Sequence, residues 1–150
     1  MTKKLSMYYS YVLGLTIVLI VIALALAPLA PIDEPTIFPG YNLQIPVGIS
    51  FAGFILLIIF IIVTILFWGT KNFFINALID ALALSFSIIN YINFYLIAVI
   101  WKPTIVILPL FFLIKYNGIS ALTLDFGQIA LIIFFYRLYK NVKTGSKENF

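Results

Sequence analysis

Cysteine and histidine are both missing from this chain. Their absence excludes disulfides, thiolate nucleophiles, imidazole ligation of haem, and the usual zinc and copper sites. Charge is scarce too: 9% of residues are charged and 64% hydrophobic, against roughly 25% and 45 to 50% in an ordinary globular domain. A water-soluble fold is thereby excluded. No Gly-rich phosphate loop, no G-x-S-x-G motif and no acidic ligand cluster occurs, and Ser85 and Ser87 read as back-bonded to their own helix rather than nucleophilic. The chain is expected to be neither an enzyme nor a holder of cofactors or metals.

What remains is apolar sequence in long unbroken runs, too long for buried core helices and without the alternation of a lipid-facing barrel. The expected fold is an all-α integral membrane protein, one polytopic transmembrane domain over residues 1–150. Four spanning helices are predicted at about 8–27, 46–68, 72–101 and 119–140. The motif Ala25-Leu26-Ala27 resembles a small-residue cleavage site, but the apolar run before it exceeds a normal signal-peptide core and Pro28 follows it directly, so a retained first helix is expected. Five prolines between Pro28 and Pro46 make 28–45 an extramembrane loop. The run 104–114 is too short to span and carries Pro109, so a re-entrant or interfacial segment is expected there, with Asn117 and Gly118 turning the chain into the last helix. A polar tail follows at 141–150.

Orientation follows from the nine basic residues. Four spans place Lys3, Lys4, Lys71, Arg137, Lys140, Lys143 and Lys147 on one side, and Lys102 and Lys115 on the other. The positive side faces the cytoplasm, so a multi-pass protein of the cell membrane with both termini cytoplasmic is expected. The net charge of +4 serves topology and anionic lipid; nucleic acid is not an expected partner.

Within the third helix Asn76, Asp80, Ser87 and Asn90 recur at spacings of four, seven and three, which places them in one stripe. Such a stripe cannot face lipid, because an unpartnered carboxyl or carboxamide in hydrocarbon costs several kcal/mol. Asp125 and Gln128 add polarity to the fourth helix. If Lys71 and Arg137 mark one boundary, Asp80 lies about 13 Å deep and Asp125 about 18 Å at 1.5 Å per residue. No basic residue then reaches either acid, and Asp80 is expected to meet Gln128. Asn90 to Asn93 is the expected weak point of a third helix too long for the bilayer. In the second helix Gly48, Ala52 and Gly53 offer a smooth face for close packing.

Two functional readings fit these residues. One is a non-catalytic accessory subunit of a larger membrane complex, for example a respiratory or other energy-converting assembly, with other membrane subunits and the bilayer as partners. The alternative is a small proton or cation transporter or channel component that uses Asp80 and Asp125.

Overall fold

A computed structural model describes residues 3–30 and 44–147, so most of the Pro-rich loop lies outside the described residues. Helix α1 (Lys3–Leu26) runs into a 3-10 turn at Ala27–Leu29, where Pro28 takes a first-turn position that needs no amide donor. It is followed by α2 (Gln44–Phe67) and α3 (Phe73–Trp101), three strands β1 (Thr104–Leu108), β2 (Phe111–Tyr116) and β3 (Ile119–Leu124), and α4 (Phe126–Lys147). The chain is mostly helical, and α1, α2 and α3 are long and apolar enough to cross a membrane.

Helix α3 is the centre, packed against α1, α2 and α4. Its buried face carries Ala77, Ala81, Ala83 and Ser85, small enough for neighbouring helices to come close. Gly48 passes so near the 3-10 turn after α1 that a β-carbon there would stand 2.5 Å from the Ala27 carbonyl oxygen, and one on Gly53 would stand 3.2 Å from Ile89 Cγ2. Ala52, between them, is fully buried. Both ends of α3 are capped: the Asn72 side chain accepts from the Ile75 amide at 3.2 Å, and Lys102 turns left-handed (φ 50°) before Pro103. Between the caps the helix is continuous for 29 residues, about 43 Å. It is unbroken at Asn90 to Asn93, the expected weak point.

With three strands present the fold is not all-α, and among the described residues three helices rather than the expected four are long and apolar enough to span, α4 not being one of them. The sheet corrects two further expectations. Residues 104–114, expected as one re-entrant or interfacial segment, are β1, a turn and most of β2, and Ile119 to Leu124 is a strand, so the last helix begins at Phe126 rather than 119. Order is β1-β2-β3, all antiparallel. Asn117 and Gly118 have φ 48° and 80°, the positive pair of the two-residue turn whose twist matches a hairpin. The other turn is Pro109-Leu110, with Leu110 at φ 65°, a conformation that a bulky side chain resists. It is held from outside: the Leu110 carbonyl accepts from the Asp125 amide at 2.9 Å, and its amide donates to Gln128 Oε1 at 2.9 Å.

One face of the sheet meets α3, where Phe112 packs edge-on against Phe94 with ring centres 4.5 Å apart. The register orders the opposite face into rows: Leu108, Phe111 and Leu124; then Val106, Leu113 and Leu122; then Thr104, Lys115 and Ser120. Polarity thus rises from the Leu110 turn toward Lys102. The strands double back beside α3 from its Trp101 end, and the turn reaches the level of Asn90, whose side chain contacts Asp125. Strand β3 leads into α4, which runs antiparallel to α3 toward the Trp68 end. Helix α4 continues to Lys147, through most of what was expected to be a polar tail.

The close crossing at Gly48 makes a direct prediction. Gly48→Ala should lower stability by roughly 1 to 3 kcal/mol, the range of overpacking, because the obstacle is backbone rather than a movable side chain. Gly14→Ala, where a β-carbon meets nothing within 4 Å, should cause no loss. Thermal unfolding of the two variants in one mild detergent makes the comparison; equal melting points would contradict it.

Candidate functional site

Two polar clusters lie along the α3–α4 seam. The first forms at the Trp68 end. Arg137 Nε donates to Asp80 Oδ1 at 2.5 Å, and the Tyr8 hydroxyl donates to Asp80 Oδ2 at 2.7 Å. Both carboxylate oxygens are therefore occupied, and Asp80 has no exposed surface. Arg137 Nη2 also donates to the Asn76 side-chain oxygen at 2.9 Å and to its backbone oxygen at 3.2 Å. Asn76 Nδ2 donates in turn to the carbonyls of Thr70 and Asn72, at 2.8 and 3.0 Å, fastening the α2–α3 turn. The guanidinium lies 5.7 Å from the Trp68 ring centre, and that ring stacks on Tyr136. Side chains from α1, the end of α2, α3 and α4 thus meet around one ion pair.

This geometry overturns the expected Asp80–Gln128 contact and the expectation that no basic residue reaches Asp80. The error lay in treating Arg137 as a boundary residue. Since α4 runs on to Lys147, Arg137 stands ten residues, about 15 Å, inside its end. Lys140 and Lys143, both more exposed, are the ones nearer the helix end.

The second cluster starts α4. Asp125 Oδ1 accepts from the amides of Gly127 at 2.9 Å and Gln128 at 3.2 Å, as an N-cap carboxylate does, with the helix dipole favouring the negative charge there. Asn90 Nδ2 approaches the same oxygen at 3.4 Å. Oδ2 accepts from the Tyr91 hydroxyl at 3.1 Å and from Gln128 Nε2 at 3.0 Å. Gln128 spans the helix start and the sheet, donating to the Leu108 carbonyl at 2.8 Å while accepting from Leu110. Ser87 Oγ donates to its own helix at Ala83 and across to the Gly127 carbonyl, at 2.8 and 3.1 Å. A β-carbon on Gly127 would fall 2.6 Å from Asn90 Nδ2 and 3.0 Å from Asp125 Oδ1, so a side chain there would push the Asn90 carboxamide off the cap.

The stripe residues therefore divide: Asn76 and Asp80 belong to the ion-pair cluster, and Ser87, Asn90, Asp125 and Gln128 to the cap cluster. Gly48, Ala52 and Gly53 lie apart from both, on α2. Sequence reasoning missed Arg137, Tyr8, Tyr91 and Trp68 as members. Only the cap left a readable signal, because Asp125-Phe126-Gly127-Gln128 places Asp at an N-cap and Gln three residues on. Chemically, both acids are held by several donors each. Among the described residues no group of three His, Cys, Asp or Glu side chains could hold a metal ion.

A buried pair held this way should behave as a unit. Asp80→Leu or Arg137→Leu alone leaves an uncompensated charge and should cost roughly 3 to 5 kcal/mol, whereas the double substitution should cost less than the sum. A double-mutant cycle of unfolding free energies in detergent micelles measures this. Strict additivity would mean that the two groups do not interact.

Comparison with family models, with curated proteins and with solved structures finds no match for this chain, so the two clusters are interpreted from their own geometry.

Proposed function

We propose that the chain is a non-catalytic subunit of a larger membrane protein complex and that it docks on a neighbouring subunit through its sheet. The observation that carries this is the position of the sheet beside α3. On the face turned away from α3 the two rows nearest the Leu110 turn are apolar, and Val106, Leu108, Phe111 and Leu122 in them are exposed. Strands β1 and β3 are both edges, with no described strand beyond them. Apolar rows fit hydrocarbon depth, yet open sheet edges do not, because lipid cannot satisfy their amides and carbonyls at several kcal/mol each. A neighbouring polypeptide resolves both demands, covering the apolar face and bonding the edges.

The ion-path alternative draws less support from the same geometry. A carrier acid must be free to exchange its proton or ion, whereas Asp80 is engaged by Arg137 and Tyr8, and Asp125 caps a helix. Lys71, Lys140 and Lys143 at the Trp68 end, against Lys102 and Lys115 near the other, favour a cytoplasmic Trp68 end in the cell membrane.

Two measurements test the proposal. After extraction in mild detergent, native gels with mass spectrometry should find the chain together with other membrane polypeptides, and Leu122→Lys should release it without lowering its own melting point. A clean monomer or homo-oligomer in every mild detergent would contradict the proposal. Single cysteines at Ser6, Thr36 and Ser146, treated with a membrane-impermeant reagent on intact cells, should label at Thr36 alone; labelling at Ser146 would reverse the topology.

A further inference from the structure

The two hairpin turns decide which backbone groups of the sheet are free. Each turn has two residues, so the residues flanking it, Leu108 with Phe111 and Tyr116 with Ile119, exchange hydrogen bonds. Bonded and non-bonded pairs then alternate along each ladder. In β1, Thr104, Val106 and Leu108 bond to β2, while the amides and carbonyls of Ile105 and Ile107 point away from it. Among the described residues no backbone group meets them on that side, and no helix packs along β1. The β3 edge differs: Thr123 from one face and Leu124 from the other line a groove with Ser50 and Phe54, so α2 flanks that edge at its Leu124 end.

Direction narrows what can bond Ile105 and Ile107. Strand β1 has five residues, about 16 Å, and α3 from Asn90 to Trp101 rises about 16 Å between the same two levels. Strand β1 therefore runs along α3, near the bilayer normal if α3 crosses. Copies of this chain inserted the same way carry β1 in the same direction, and a two-fold axis along the normal sets Ile105 opposite Ile105. A parallel ladder bonds each residue to the two that flank the one opposite; here those are Thr104 and Val106, already bonded to β2. The β3 edge of a second copy is flanked by its own α2. A helical neighbour can cover the apolar face but has no free backbone groups along its side. We propose that the edge of β1 takes a strand from a different polypeptide, an extended apolar segment of at least three residues whose main chain bonds Ile105 and Ile107. The inference rests on the docking proposed above and names its mode.

The test substitutes β1 in the full chain and reads two quantities: the melting point in mild detergent, and the recovery of other membrane polypeptides from solubilised native membranes. Proline removes an amide, which a free edge position tolerates and a position that donates within the sheet does not. Ile107→Pro should therefore melt as the wild type does, yet lower partner recovery roughly tenfold or more, the scale of one lost hydrogen bond. Ile107→Ala, which keeps the amide, should keep the partner, and Val106→Pro should lower the melting point because its amide donates to β2. Full recovery with Ile107→Pro, equal loss with Ile107→Ala, or a melting point lowered as much by Ile107→Pro as by Val106→Pro would each overturn strand addition at β1. If Leu122→Lys still releases the partner in those cases, the docking stands and only its mode is wrong; if the wild type itself carries no other polypeptide, both fall. Two differently tagged copies should not recover one another; recovery that Ile107→Pro abolishes would make the strand a second copy's and overturn the proposal.

Discussion

The ion pair between Asp80 and Arg137 fixes the arrangement of everything after α3. A lone charge at the middle of a membrane helix costs about 2.5 to 3.5 kcal/mol even on insertion scales, so neither residue can be left without the other. Pairing alone would not suffice, because desolvation can exceed the attraction between buried charges. Tyr8, Asn76 and the Trp68 ring supply the additional contacts that a buried pair needs. The pair also sets the register of α4 on α3. From Arg137 back to Asp125 is twelve residues, about 18 Å, and from Asp80 to Tyr91 is eleven, about 16 Å. With Arg137 on Asp80, Asp125 therefore comes level with Asn90 and Tyr91, which are its observed partners.

From that register the sheet follows. Asp125 ends β3 and begins α4, and its amide together with the Gln128 side chain holds the Leu110 turn. The return of the chain beside α3 is thus part strand and part helix, with the change of element at a carboxylate that can serve both. A helix start deep in a bundle leaves amides unsatisfied unless a cap supplies acceptors; here the cap also anchors the hairpin that would otherwise have no fixed depth.

The helical part of this architecture was legible because α1, α2 and α3 are long apolar runs, and their bounds fall within a few residues of those expected. The sheet was not. Thr104 to Leu108 and Phe111 to Tyr116 are apolar on both faces, so the two-residue alternation that marks a strand is missing, and a short apolar run between basic residues looks like a membrane segment. Asn117-Gly118 is visible as a turn, but its meaning as a hairpin turn depends on strands to either side, and the apolar run after it reads equally as the start of a last helix. Of the polar stripe, the need for partners was legible and their identity was not. Arg137 lies among Tyr136 and Tyr139, the composition of an interfacial belt, and only its position along the true length of α4 shows that it turns inward.

The most direct test of this account is the contact on which the register depends. Solid-state NMR of the chain in lipid bilayers, with ¹³C in the aspartate carboxyls and ¹⁵N in the arginine and glutamine side chains, measures which nitrogen couples to Asp80. A strong dipolar coupling between the Asp80 carboxyl carbon and Arg137 Nε is predicted. Coupling of Asp80 to Gln128 instead, or to no side-chain nitrogen, would contradict the account.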